Sequence, residues 1–328
     1  MTLLDLPMVS TWLSPGKAPA SVSHYTSAGG FLGMIQTGHL WATEATGLND
    51  YSEITEGQRF FRAQWLEKRH VLESIAGVGF TEDLEGAFGH LAPEFAKALH
   101  RRVPYILCAS SEADDANQWR LYADGGRGFS VDLDTSEDLA LCPAPVAKVE
   151  PGELPGLGYL GLVQKWSPVL YEQADREAAF DHLITWLAAT AKTYVPKISE
   201  DPRYALSIAV AASAAADRLC SLIKTRGFAG EHESRIVVDM DDHADDWINF
   251  RPTQTGIVST VHLRNARRVS RPAELSNRSE IAPLPITRVR VGPQQDYDLV
   301  EPTIHALLSR YGYRDVIVER SQASLRRS

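Results

Sequence analysis

The sequence predicts an α+β protein in which one mixed, split β-sheet carries a helical insertion. Three observations lead there. Residues 54–74 set Phe60, Phe61, Trp65, Leu66 and Leu72 at roughly helical spacing among Arg, Glu and Lys, the pattern of an amphipathic helix. Runs rich in strand-forming residues stand in both halves of the chain, at 103–109, 128–133, 234–240, 247–251, 257–263 and 286–291. Two long helical patterns, 172–194 and 201–224, lie between the two sets. Strands drawn from both ends with helices between them favour one sheet built around an insertion.

Residues 1–22 hold Pro7, Pro15, Gly16 and Pro19 with little periodicity and read as an irregular lead-in; 23–328 reads as a single domain with its insertion at about 172–225. A short strand ending in His24-Tyr25-Thr26 runs into a helix capped by Thr26 or Ser27, with Phe31, Leu32 and Ile35 on one face. Residues 48–53, Leu-Asn-Asp-Tyr-Ser-Glu, suit a turn and N-cap before the helix at 54–74, and 84–102 reads as a second helix. In 128–133, Phe129, Val131 and Leu133 alternate with Ser130 and Asp132, and a short helix or turn around Trp119 precedes that strand. Residues 143–161 are rich in Pro and Gly and separate the halves; 300–311 is helical and 316–318 extended. No internal repeat is visible.

Lys and Arg number 33 against 42 Asp and Glu, a net charge of −9, which excludes a generically basic nucleic-acid coat. Hydrophobic residues at 44% and charged residues at 23% match a globular chain with a sizeable core. Cys108, Cys142 and Cys220 are odd in number and far apart, so they read as buried thiols in a reducing compartment. The N-terminus lacks the basic and apolar regions of a signal peptide, and the most apolar run, 205–216, is shorter than the roughly 20 residues of a membrane span. A cytoplasmic protein without membrane association is expected.

No Walker A loop, Gly-x-Gly-x-x-Gly, His-Glu-x-x-His or Gly-x-Ser-x-Gly is present. Chemistry concentrates instead in clusters. His24 stands at a strand end beside a helix N-terminus, suited to a ligand hydroxyl or to local backbone groups. Gln118-Trp119-Arg120-Leu121-Tyr122, before a glycine turn at 125–128, suits either a ring-stacking wall with Arg120 or Arg127 on phosphate, or a structural corner around a packed Trp. Residues 227–235 lead straight into the strand Ile236-Val237-Val238, and in extended backbone Glu231 and Glu233 would share a face while His232 points away. Such crowding calls for relief by a cation, a sugar hydroxyl or Arg235, or it marks a solvated edge strand. The acidic run 241–246 reads as an exposed hairpin loop rather than a metal site.

The ordered set His-Tyr-Thr-Ser at 24–27, Leu-Asn-Asp-x-x-Glu at 48–53, Gln-Trp-Arg-x-Tyr at 118–122, Gly-Phe-x-x-Glu-x-Glu-x-Arg at 227–235, a late Val-Gly-Pro and residues 321–326 resembles an uncharacterised bacterial family, domain of unknown function 2971. The chain departs from it at Ser234, where an aromatic residue is expected. That family looks like a remote relative of ADP-ribosyltransferases, which implies a split-sheet fold, NAD as substrate and no metal. The resemblance implies that His24 binds a ribose of NAD, that Tyr122 or Tyr25 packs on nicotinamide, and that Glu233, with Glu231 assisting, supplies the carboxylate for the ribose. Thr26, Gln118, Arg120 and Arg235 complete the expected binding set, the acceptor stays open, and a bacterial toxin or anti-phage module is the implied setting. Two other readings stand beside it. One is a non-catalytic nucleotide or nucleic-acid binder using Arg120, Arg127 and Arg235 as a phosphate clamp. The other is a metal-assisted nuclease using Glu231, Glu233, Asp50 and Glu53.

Overall fold

The computed structural model describes residues 12, 16–48, 52–88, 104–142, 161–240, 245–253, 256–267 and 282–325. Residues 49–51 of the expected cluster at 48–53, 241–244 of the acidic run at 241–246, 143–160 of the separator at 143–161 and most of the helix expected at 84–102 lie outside these residues. The architecture is α+β with a mixed, open sheet. Strand β1 (Ser21–Thr26) leads into helix α1 (Ala28–Thr37), whose N-cap is Ser27, accepting from the amide of Gly30 at 3.2 Å. Phe31, Met34 and Ile35 face the core, whereas Leu32, expected beside them, is exposed, because Met34 rather than Leu32 completes the inward stripe. Strand β2 (Leu40–Glu44) follows, then helices α2 (Ser52–Ala76) and α3 (Val78–Ala87). Leu66 points to solvent, since the α2 stripe runs through Phe61, Trp65 and Leu72.

Next come β3 (Tyr105–Ser110), the short helix α4 (Ala116–Tyr122), β4 (Phe129–Asp134) and β5 (Leu139–Cys142). Two brief strands, β6 (Gly161–Val163) and β7 (Ser167–Pro168), precede helices α5 (Gln173–Tyr194) and α6 (Arg203–Leu222). Strands β8 (Glu233–Met240), β9 (Ile248–Thr253), β10 (Gly256–Asn265) and β11 (Ile286–Val291), helix α7 (Tyr297–Arg310) and β12 (Ile317–Arg320) complete the chain. Among the described residues β8 and β9 are not paired with each other: β9 pairs with β10, and β8 with β3, β6 and β7.

The strand order β12-β11-β4-β1-β3-β2-β10-β5 is antiparallel except for the parallel pair β11 and β12. Its centre is forked. β8 lies along the whole of β3, from Tyr105 opposite Val238 to Ser110 opposite Glu233. A strand has two edges, so β1 and β2 share the other: β2 meets Tyr105 and Ile106, and β1 meets Ser110. Among the described residues the pairing on that edge lapses at 107–109.

One face of the sheet builds the main core, with Val22, Leu107, Val131, Ile236, Val238 and Val289 packed beneath α1 and α7. On the other face Val237 joins a second core made by α2, α3, α5 and α6, closed by the buried ring of Trp12. The helices of the expected insertion at 172–225 share this core with α2 and α3, from the first half of the chain. Helix α6 is long and apolar enough to cross a membrane by length and composition, contrary to the shorter run expected, and 67% of its apolar window is buried inside the protein. All three cysteines are free thiols; Cys142 and Cys220 are buried, while Cys108 is only partly so.

The helical layer is set by one close crossing. A Cβ on Gly57 of α2 would lie 2.1 Å from the carbonyl oxygen of Cys220 on α6, so only glycine lets these backbones meet. Gly57→Ala is expected to destabilise by about 1–3 kcal/mol through overpacking, although alanine favours the helix itself. A lower urea midpoint at unchanged slope is the expected reading; an unchanged midpoint would show that the helices part without strain.

Candidate functional site

The densest buried polar cluster sits where β8 begins. The chain leaves α6, passes Ile223 and Lys224, makes a 3₁₀ turn at Arg226–Glu231 and enters β8 through His232, whose φ is 47°. That left-handed residue corrects the expectation of a continuous strand. Glu231 belongs to the turn, so it and Glu233 do not alternate along one strand. They converge nonetheless, because both reach the same cation: Lys224 Nζ donates to Glu231 Oε2 at 2.7 Å and to Glu233 Oε2 at 3.1 Å.

Glu233 is held from two sides. Arg235, two residues along β8 and therefore on the same face, donates from Nε to Oε1 at 2.8 Å and from Nη2 to Oε2 at 2.9 Å. Arg235 itself is 2% exposed and also donates to the Ser221 carbonyl at 2.6 Å. It is therefore part of the internal ion cluster and not a surface phosphate clamp. Burial pushes the Glu233 carboxyl up, but attraction to Arg235, its hydrogen bonds and Lys224 outweigh it and hold the group at about 2. The backbone amide of Glu233 donates to Tyr171 Oη at 3.1 Å, and burial pushes that phenol up to about 12.

Glu231 is placed differently. Its carbonyl accepts from Ser110 Oγ at 2.7 Å and from Gln118 Nε2 at 3.3 Å, while Tyr122 Oη donates to its Oε1 at 3.4 Å. Its side chain keeps 14% exposure against 7% for Glu233. Burial, then the nearby Glu231 charge, raises the Tyr122 phenol well above the tyrosine range. The Phe228 ring lies 4.7 Å from Lys224 Nζ, and Phe228 and Tyr122 both reach solvent.

Helix α4 supplies Gln118 and Tyr122 because Asp115 caps it, accepting from the amides of Asn117 and Gln118 at 2.8 and 2.9 Å. Gln118 and Tyr122 stand four residues apart and so share the helix side that meets Glu231. Arg120, on the same helix, is exposed, as is Arg127 in the following turn. That turn packs closely on β1: a Cβ on Gly128 would lie 2.1 Å from the Thr26 carbonyl oxygen.

The strand β1 residues fall elsewhere. Ser23 opposes Ser110, and Ser110 opposes Glu233, so these three share a face and His24 belongs to the other. His24 Nδ1 donates to the Cys108 carbonyl oxygen at 2.9 Å, at the lapse in the pairing of β3. That bond fixes the Nδ1–H tautomer, and burial lowers the imidazole's pKa against the partial opposition of the Cys108 bond, which keeps the ring neutral at pH 7. Tyr25 is a structural corner, not an open stacking surface: its ring meets Trp119 edge-on at 5.1 Å, and its hydroxyl donates to the Glu112 carbonyl and accepts from the Asp115 amide, each at 2.9 Å. Thr26 ends β1 half-buried, close enough to α1 that a Cβ on Gly30 would lie 2.1 Å from its Oγ1. Ser234, where an aromatic was expected, is buried opposite Ala109.

Sequence reasoning named Glu231, Glu233, Gln118, Tyr122 and Arg235, which the fold brings together, but missed the cation at their centre. In the sequence Lys224 marks only the end of the helical pattern 201–224. Its backbone is fixed by Arg176, whose Nη2 donates to the Lys224 carbonyl at 2.6 Å and whose Nη1 meets Glu56 at 3.3 Å. A readable signal exists: Lys224 is the first charged residue after an apolar helix and stands nine positions before Glu233. Among the described residues no group of three or more His, Cys, Asp and Glu side chains is placed to hold a metal ion. Between Glu231 and Glu233 the position is taken by the Lys224 ammonium. Comparison with family models, curated proteins and solved structures returns no match.

Two outcomes follow from the ion cluster. Lys224→Met leaves two carboxylates facing each other with their shared cation gone, and is expected to cost about 3–5 kcal/mol in chemical denaturation. Glu233 titrates near 2 when folded against its ordinary 4.5, so its contribution is full above about pH 4.5 and lost as pH falls toward 2. That contribution is on the order of 3 kcal/mol. Denaturation midpoints measured between pH 5 and pH 2.5 are expected to fall less steeply in Glu233→Gln than in the wild type; equal slopes would remove Glu233 as the source.

Proposed function

We propose that this chain is an NAD-dependent ADP-ribosyltransferase-like enzyme whose working carboxylate is Glu231. The observation that carries the reading is the division of labour at the start of β8. Both oxygens of Glu233 are engaged by Arg235 and Lys224, whereas Glu231 keeps one oxygen turned to Tyr122 at the protein's surface. The resemblance of the motif set to domain of unknown function 2971, and of that family to ADP-ribosyltransferases, supplies NAD as the substrate. A toxin or anti-phage setting follows from the same resemblance.

Chemically the arrangement suits glycoside cleavage at a cationic ring. The bond from ribose C1′ to nicotinamide nitrogen breaks with its electron pair passing to the nitrogen, which releases neutral nicotinamide. Positive charge then grows on C1′ and the ring oxygen, and a carboxylate held in place stabilises that charge more than it stabilises the substrate. Lys224 fixes Glu231 from beneath, and the exposed rings of Tyr122 and Phe228 offer flat faces to a pyridinium. An acceptor lone pair closes on C1′ from about 3–3.5 Å and its proton passes to a base or to water. His24 takes a positioning role, holding Cys108 and hence the strand pair whose outer end carries Glu233. Arg120 remains an exposed cation for the pyrophosphate.

A second reading, a nucleotide-binding relative of the fold without catalysis, is favoured by the closed ion cluster around Glu233, where the carboxylate that the resemblance marks as catalytic has no oxygen to spare. Nicotinamide release from NAD, with and without EDTA, separates the two. The expected result is metal-independent release that falls about 100-fold in kcat in Glu231→Gln, the scale of losing one charge-stabilising group. Saturable NAD binding with no release in any tested acceptor mixture, retained in Glu231→Gln, would favour the second reading; neither binding nor release would overturn NAD chemistry.

A further inference from the structure

We propose that residues 321–325 form a strap that sets the position of α4, and that Asp114 is the positioning residue through which the strap acts. These tail residues were part of the motif set, and the site just described gives them no role. Asp114 Oδ1 accepts from Trp119 Nε1 at 2.6 Å and from Ser321 Oγ at 2.5 Å, while Oδ2 accepts from the Gln322 amide at 2.6 Å. One carboxylate thus ties a residue of α4 to two consecutive residues of the C-terminal segment through short, charge-assisted bonds.

The strap is folded and packed as well as tethered. Ser321 Oγ accepts from the Ala323 amide at 3.0 Å, and the Leu325 carbonyl accepts from Gln294 Nε2 at 3.2 Å. Ala323 and Leu325 pack on a small core of Tyr25, Trp119 and Ala123. A Cβ on Gly126 would lie 2.7 Å from Leu325 Cδ1, so the strap presses on the turn that ends α4.

A helix of seven residues does not hold itself in water, so its place comes from what it packs against. Tyr25 supports the start of α4 from the sheet, and the strap closes over Trp119 from outside. Trp119 adjoins Gln118 and lies three residues before Tyr122, the two side chains that meet Glu231. The last residues of the described chain therefore set the wall of the candidate site, far from it in sequence. The significance for catalysis rests on the proposed function, but the mechanical claim does not.

Hydrogen exchange on the full chain tests it in Asp114→Ala, Ser321→Ala, Leu325→Ala and the conservative Ser321→Thr. Amides of 116–122 are expected to exchange about tenfold faster in Asp114→Ala while those of α5 and α6 keep their wild-type rates, the pattern of local rather than global opening. Ser321→Ala and Leu325→Ala are expected to show smaller rises confined to the same segment, and Ser321→Thr, which keeps the hydroxyl, wild-type rates. Unchanged exchange in α4, or equal acceleration of every helix, would overturn the strap. Should Asp114→Ala not fold, the Ser321 and Leu325 variants decide alone. Because the exchange result stands whether or not the wild type cleaves NAD, failure of the strap and failure of the NAD reading remain separate.

Discussion

A buried ammonium organises the candidate site. Lys224 is 3% exposed, and a charge so removed from water is tolerated only when it is paired and hydrogen-bonded. Satisfying it requires Glu231 from a turn and Glu233 from a strand; Arg235 then pairs with the Glu233 carboxylate and Tyr122 of α4 with that of Glu231, while Ser110 and Gln118 hold the Glu231 backbone carbonyl. The end of α6, the turn after it, the start of β8 and the short helix α4 are thereby fixed relative to one another. Arg176 extends the same constraint to α2 through Glu56.

The fork in the sheet is the second constraint. With β8 along one edge of β3, the remaining edge is divided between β1 and β2, and a histidine rather than a strand meets the carbonyl of Cys108 there. An unpaired carbonyl at the middle of a sheet is costly, and a neutral imidazole donating from Nδ1 meets that need without adding charge. His24 thus has a complete structural explanation, and its placement on the face opposite Glu233 makes the sheet's alternation, rather than direct contact, the link between them.

Much of this was legible beforehand where pattern and chemistry act locally. The stripe through Phe60, Phe61 and Trp65 announced α2, the alternation of Phe129, Val131 and Leu133 announced β4, and crowded Glu231 and Glu233 announced a need for cations. What stayed hidden depended on distant partners. Strand β2 is five residues long and carries little alternation, so its place appears only once β3 and β10 flank it. Lys224 looked like a helix end because nothing near it in sequence says that two carboxylates will close over it. Glu231 looked like a strand residue because the left-handed backbone of His232 is not encoded by a glycine. Leu66 and Leu32 misled in the other direction, since a helix stripe is narrower than the set of apolar residues on it.

The fork also bears on how the chain reaches this structure. Strand β3 ends at Ser110, yet its full-length partner β8 does not begin until Glu233, so the middle of the sheet closes a loop of more than a hundred residues. During synthesis, β1, β2 and β3 all emerge well before β8, and β1 and β2 can pair only with the ends of one edge of β3, with the opposite edge open. A long wait with an unpaired central strand favours slow assembly and transient self-association. The helices α2 and α3, made early, gain their core only when α5 and α6 arrive, just ahead of β8. Completion of the helical layer and of the sheet's centre is therefore a late, coupled event on the ribosome, set by the order in which the elements leave the exit tunnel.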